Sequence, residues 1–322
     1  MAGDATAAFM ALARRLGAPV TTTANGRGAL DDRDPLALLP VAGREVMADA
    51  DVVLLVGSRG MTQRGRPFAA ADGATLIHLT LEERDLGAPR SPDVAIVADA
   101  AAGLTALLDR LDGPNRGCWA SAEQLSAARA GEQEALAKLQ PQWSYSQALR
   151  RAMPDDAILV NELTQVGYVS MVGFPVHHPR SYLWPGFQGT LGYGYPTALG
   201  AKVGNPTGPW CRSTATAASA TAWPSWPPPP RNASGWWRWC SATAPTATSS
   251  ACDQQFDGVH LGTELTNPDW VALARSFGVH GERVTDPEGL ERAVRDAIDA
   301  DRPALIEVPM PPTPDPWRLI LG

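Results

Sequence analysis

The sequence predicts an α/β protein of two doubly wound parallel-sheet domains, the second disrupted at 209–252. Three observations predict this. Short apolar segments such as DVVLLVGS (51–58) and DAILVNE (156–162) alternate with helix-period segments, the pattern of a parallel sheet covered on both faces. The length, 322 residues, suits about two domains of roughly 100–200 residues each. Between Pro209 and Cys252 the chain contains no Leu, Ile, Val, Met or Phe and no Asp, Glu or Lys, unlike the sequence on either side.

The first domain is expected over 1–112. ATAAFMALARRLG (5–17) places Phe9, Met10, Ala13 and Leu16 roughly on one helical face, and the β-branched PVTTT (19–23) follows as a strand. Next come a helix around REVMADA, the strands DVVLLVGS, ATLIHLT and DVAIVAD, and the helix AAGLTALLDRL. GPNRGCWA (113–120) breaks the pattern with turn-forming residues, so 113–143 reads as a linker followed by the polar helix SAEQLSAARAGEQEALAKL. The second domain is expected over 144–322. It opens with the helix SYSQALRRAM and the strand DAILVNE, then a glycine-rich turn into a helix, FQGTLGYGYPTALGAKVG (187–204). DWVALARSFG and EGLERAVRDAIDA read as helices, HGERVT and PALIEVP as strands, before a proline-rich tail.

Composition excludes several functions. A net charge of −7 argues against nucleic-acid or anionic-membrane partners, which need basic patches. No run approaches the roughly 18 apolar residues of a membrane span. The opening residues lack the basic head and apolar core of a secretory signal, and four cysteines without a CxxC make neither a disulfide framework nor a zinc site. A cytoplasmic location is the expectation.

The stretch WPSWPPPPRNASGWWRWC (223–240) puts five tryptophans and five prolines into eighteen residues. It could be a polyproline ligand for an aromatic groove or a low-complexity insert. A third reading explains more. With the coding frame moved one nucleotide upstream, a Trp or Cys that follows a Trp becomes Val, so WWRWC (236–240) turns into a buried-type strand. In that frame Thr codons become Asp, Asn, His or Tyr, and TATAA (214–218) can become Asp-Gly-Asp-Gly-Gly. Two compensating frameshifts, near 206–210 and 250–252, would produce the sequence as it stands. As written, 209–252 is expected to form little regular sheet, because it lacks apolar alternation and carries four consecutive prolines.

FQGTLGYGYPTALGAKVGNP (187–206), with DQQFDGVHLGTELTNPDWVALARSFGVHGERVTDPEGL (253–290) and PALIEVP, resembles the thiamine diphosphate-dependent enzymes, in particular the acetolactate synthase, benzoylformate decarboxylase and benzaldehyde lyase branch. LGAPVTTTANGRGALDDRDPLAL (16–38) and ADVVLLVGSRG (50–60) are similar to that family's central domain. The resemblance implies a central domain followed by a diphosphate-binding domain. The family's aminopyrimidine-binding domain, with the glutamate that activates the cofactor, is expected to be missing, which would make the chain an inactive fragment. It also implies a small 2-keto acid or aldehyde substrate and decarboxylase or carboligase (lyase or transferase) chemistry. The implied partner is a second copy or a homologous subunit. A non-catalytic remnant pairing with such a subunit, or a Pro/Trp interaction module, is the alternative.

By resemblance, Mg²⁺ would be held by the Asp of a Gly-Asp-Gly turn and by a later Asp or Asn, hard oxygen ligands of the kind Mg²⁺ demands. This chain has Ala215, Thr216 and Ala217 at the turn and Thr243 at the later position, whose shifted codons allow those residues. No catalytic and no metal-ligating residue is therefore expected in the chain as written. The cofactor-binding candidates are Gly189, Thr190, Leu191, Gly192, Tyr193 and Gly194, a strand-to-helix turn that lets backbone approach a ligand. By resemblance alone, Leu191 and Tyr193 would wall the thiazolium side. Glu162, at the carboxyl end of a strand, is a further candidate for lining the site. GSRG (57–60), with Arg59 and Arg64, could hold a dinucleotide such as FAD, which acetolactate synthases bind in this domain and many relatives do not. His177 and His178 read as a solvated loop and His78 as a packed strand residue.

Overall fold

The structure, a computed structural model, describes residues 5–60, 70–87, 90–113, 120–190, 192–206, 210–212, 237–242 and 267–321. The chain divides into two compact units. One is Met1–Ala135 with Pro175–Pro179 and Trp317–Gly322, the other Leu136–Phe174 with Arg180–Pro316. Every pairing of described strands is parallel.

In the first unit α1 (Thr6–Leu16) ends at Gly17, whose left-handed backbone returns its N–H to the carbonyls of Ala13 and Arg14. β1 (Val20–Thr21) pairs with β2 (Ala37–Leu38), and α2 (Pro40–Met47) follows with proline at its first position, where no N–H is needed. β3 (Val52–Val56), β4 (Thr75–Thr80) and β5 (Val94–Val97) form a sheet in that order, with Leu79 facing Val56 and Ile96 in register. Asp99 caps α3 (Ala100–Leu108) by accepting from Ala101 and Ala102 N–H. Leu12, Leu79 and Leu104 are buried, with the partly buried Leu54, Val56 and Ile96 packed against them, so α1 and α3 cover one sheet face. Before α4 (Ala122–Ala137), Ser121 and Gln124 exchange side-chain-to-backbone hydrogen bonds as a capping box.

The second unit runs α5 (Gln142–Ala152), β6 (Ile158–Val160), α6 (Gln165–Gly173), β7 (Tyr182–Leu183), α7 (Gly194–Gly204), β8 (Trp210–Arg212), β9 (Trp237–Ala242), α8 (Trp270–Ser276), β10 (His280–Arg283), α9 (Pro287–Asp299) and β11 (Ala304–Pro309). One sheet has the order β7-β6-β8, the other β10-β11-β9. α9 buries Leu290, Ala293, Val294 and Ala297, the stripe of a helix lying on a sheet. Tyr195, Trp270, Ala274, Val279 and Leu305 form a buried cluster joining α7, α8 and β11.

Within 209–252 the described residues are two short strands. Trp237–Ala242 pairs with all six residues of β11, from Ala304↔Trp237 to Pro309↔Ala242, and Trp210–Arg212 pairs with β6. A parallel ladder is made by backbone N–H and C=O groups. WRWCSA contains no proline and supplies them all, whatever its side chains. Both strands fall where the shifted frame places strands. The remainder of the stretch, PPPP included, lies outside the described residues.

The buried stripe of α4 holds one charged residue. Leu125, Ala128 and Leu136 are buried as its period requires, and so is Glu132. Its Oε1 accepts the N–H groups of Val41 at 2.8 Å and Ala42 at 3.2 Å, donors that α2 leaves unpaired at its N-terminus. Burial pushes the Glu132 carboxyl up to about 7, against the lowering pull of those N–H groups and of Arg27, while Asp32 adds to the rise. A raised folded-state value means that the folded protein holds a proton which the unfolded chain releases. The corresponding stability is present below about pH 4.5 and is lost as pH rises through about 7. Glu132→Gln keeps the acceptor and removes the charge. It is expected to flatten the stability profile between pH 5 and 8 and to gain on the order of 2 kcal/mol at pH 8. Thermal unfolding of both proteins across that range checks this.

Candidate functional site

In the second unit the chain leaves central strand β6 toward β7 on one side and returns through α7 to β8 on the other. Ligands of open α/β sheets sit at the carboxyl ends of strands where successive connections diverge in this way. The segments there are Asn161–Thr164 after β6 and Trp184–Tyr193, apart from Leu191, after β7.

The first segment is a tight turn in which Asn161, Glu162 and Thr164 are buried. Asn161 N–H donates to the Leu183 carbonyl at 2.7 Å, continuing the β6–β7 ladder by one bond. Thr164 N–H donates to the Glu162 carbonyl at 2.8 Å, and the Thr164 hydroxyl accepts Gly167 N–H at 2.7 Å to cap α6. Asn161 Nδ2 donates to the Gly167 carbonyl at 3.0 Å. A Cβ on Gly167 would stand 1.9 Å from the Glu162 carbonyl oxygen, so only glycine lets the helix start this close to the strand end.

The second segment carries the glycine turn. A 3-10 turn, Gly186–Gln188, ends at Gly189 with φ 56°, and Gly192 follows at φ 80°, both in the left-handed region that glycine enters freely. Thr190 is exposed and Tyr193 half-buried, while Gly194 is buried as the first residue of α7. Leu191 lies outside the described residues.

The structure brings the two segments together. Glu162, only 1% exposed, accepts the Gly192 N–H on Oε1 at 3.0 Å. Burial raises the Tyr193 hydroxyl above its ordinary range; a hydrogen bond with Thr197 opposes the rise and the charge of Glu162 adds to it. Of the seven residues named from the sequence, six are described, and the bond between Glu162 and Gly192 joins the two segments; Asn161, Thr164 and Trp184 were not named. An Asn directly after a buried strand, with a capping Thr three residues on, was the available signal.

Two buried polar atoms here have no hydrogen-bond partner among the described residues: Asn161 Oδ1 and Trp184 Nε1. They belong to the residues that follow the paired Val160 and Leu183, so an unused acceptor and an unused donor lie at neighbouring strand ends. Buried groups of this kind call for a water or a ligand. With the glycine turn and the N-terminus of α7, this end of the sheet is suited to an anionic ligand met mainly by backbone. Among the described residues no group of three or more His, Cys, Asp or Glu could hold a metal ion. Ala215, Thr216, Ala217 and Thr243 lie outside them.

The other candidates lie in the first unit. His78 is buried on β4, with its ring nitrogen 2.9 Å from the Ser58 carbonyl. His177 and His178 belong to the segment Pro175–Pro179, which Asp32 holds by exchanging hydrogen bonds with Val176. Gly57 and Gly60 both take left-handed backbone beside Arg59, and Arg64 lies outside the described residues. No helix among the described residues is long and apolar enough to cross a membrane.

Residues 1–107 match the family model described as "Thiamine pyrophosphate enzyme, central domain". Residues 165–214 and 241–308 match "Thiamine pyrophosphate enzyme, C-terminal TPP binding domain". Similar curated proteins include the probable 2-ketoarginine decarboxylase AruI of Pseudomonas aeruginosa, 35% identical over 208 residues, which are 63% of this chain and 37% of that protein. The sulfoacetaldehyde acetyltransferase of Castellaniella defragrans is 26% identical over 244 residues, 64% of this chain and 41% of that one. The acetolactate synthase large subunit of Parasynechococcus marenigrum is 27% identical over 327 residues, 92% of this chain and 50% of that protein. The chain thus spans half or less of the length of these relatives.

Local geometry gives a test of the turn. Gly167→Ala should cost about 2–4 kcal/mol, because its methyl meets backbone that cannot yield. Gly200→Ala, in α7 with nothing within 4 Å of the new Cβ, should gain about 0.5–1 kcal/mol. Urea unfolding of the two variants checks both signs.

Proposed function

The chain belongs to the thiamine pyrophosphate enzyme family through its central and C-terminal cofactor-binding domains, and on that premise we propose that it binds thiamine diphosphate at the Gly189–Gly194 turn and serves chemistry that makes or breaks a C–C bond next to a carbonyl. The observation that carries this is the pair of left-handed glycines placed just ahead of α7, at the carboxyl ends of β6 and β7. Backbone there can approach a diphosphate without Cβ interference, and the start of α7 favours its negative charge. The bound cofactor would supply stabilisation of negative charge on the carbonyl carbon. Gly189, Thr190, Gly192 and Gly194 would position it, with Leu191, Tyr193 and Glu162 lining the site. The substrate class is a small 2-keto acid or aldehyde, the kinds of compound named for two of the relatives.

Mg²⁺ is the expected companion of the diphosphate, and the sequence as written lacks carboxylates for it at Thr216 and Thr243. The match to the C-terminal family model is interrupted between residues 214 and 241, across Ala215, Thr216 and Ala217. That gap supports the frameshift account of the stretch. The same lack of acidic ligands favours a second reading, a non-catalytic chain that pairs with a homologous subunit.

Titration calorimetry with thiamine diphosphate and Mg²⁺ tests the proposal. The chain as written should bind weakly and with little Mg²⁺ dependence. Replacing 209–252 by its shifted-frame translation should bring back tight, Mg²⁺-dependent binding, because charged oxygens again meet the metal. A repaired chain that still fails to bind would overturn the cofactor assignment. Micromolar, Mg²⁺-dependent binding by the chain as written would overturn the account of its metal site.

A further inference from the structure

We infer that Glu162 is a positioning residue whose carboxylate holds the glycine turn ahead of α7 in shape by accepting Gly192 N–H; this rests on the assignment of that turn to thiamine diphosphate. Three features of the geometry lead to it. The backbone of Glu162 is pinned, since its carbonyl accepts Thr164 N–H at 2.8 Å and abuts Gly167. Its side chain is buried and bridges thirty residues of sequence to Gly192 at 3.0 Å. Gly192 is also weakly constrained in itself, a glycine at φ 80° with another left-handed glycine three residues before it. A turn built on two such glycines has many accessible conformations, and one charge-assisted bond to the middle of it selects among them. A carboxylate is an odd choice for direct contact with a diphosphate, because like charges repel. It is a sensible one for a backbone N–H.

The role differs from charge contact in a way that experiment can separate. Glu162→Gln keeps an oxygen able to accept Gly192 N–H, and Glu162→Ala removes it. In the full chain repaired over 209–252, hydrogen exchange at the Gly192 amide should rise about tenfold in Glu162→Ala and return close to the parent rate in Glu162→Gln. Exchange in β11 should not move in either variant. Thiamine diphosphate affinity, titrated with Mg²⁺, should follow the same order, weakened about tenfold in Ala and near the parent value in Gln. Unchanged Gly192 exchange in Glu162→Ala overturns the inference. So does a Gln variant that protects Gly192 yet loses the cofactor, since the charge itself would then be the contact. If the parent chain binds no cofactor while Gly192 exchange still depends on Glu162, the cofactor assignment falls and the control of the turn stands.

Discussion

A parallel strand cannot be joined to its neighbour by a tight turn, so each connection has to cross over, usually through a helix, and return to the same end of the sheet. That constraint organises this chain. Every described strand pairing is parallel, and so the loops that leave the strands of one sheet gather on one side. In the second unit it delivers Asn161–Thr164 and the Gly189–Gly194 turn to neighbouring strand ends, though some thirty residues separate them. The glycines, the cap of α6 and the start of α7 then act on a meeting that the topology has already arranged.

Both units also bring a buried carboxylate to backbone N–H groups at or just before a helix start. Glu132 accepts from Val41 and Ala42 at α2, and Glu162 accepts from Gly192 just before α7. Val41 and Ala42 lie in the first turn of α2, where the N–H groups have no carbonyl of their own helix to bond. Water would satisfy them at the surface, but a packed interior has to supply an acceptor from another element. A carboxylate does so more strongly than a neutral group and carries a desolvation cost, which shows in the high value for Glu132. The cost is tolerated because the alternative is an orphaned N–H at the root of a helix that the sheet needs.

Most elements were legible because their periods are plain. α9 alternates buried and exposed residues at helical spacing, and β3 and β4 are short β-branched or leucine-rich runs between turns. α6 was not legible. Eight of its nine residues, all of QVGYVSMVG but Gln165, are buried, so no polar face marks a period and its two glycines argue against a helix. β7 and β2 are two residues each, too short to show alternation. The glycine turn and Glu162 could be read from the sequence, but the bond between them could not, because nothing local encodes a contact across thirty residues.

The strand β9 shows what a ladder does and does not require. Its six residues align with β11 through backbone alone, and α/β periodicity is strong on both sides of the stretch that contains it. Tryptophan is also a good strand former, so aromatic WRWC meets the propensity for an extended backbone even where aliphatic core residues would be expected. A backbone position in the sheet is therefore compatible both with the sequence as written and with its shifted frame, in which the same residues become valine-rich. The two differ in chemistry. The shifted frame allows an aspartate between glycines in the sequence after β8 and an Asp or Asn in the sequence after β9. The written frame leaves threonine and alanine there. A strand's backbone ladder tolerates many side chains, but a metal site does not, because its function resides in two or three oxygens and nowhere in the backbone pattern.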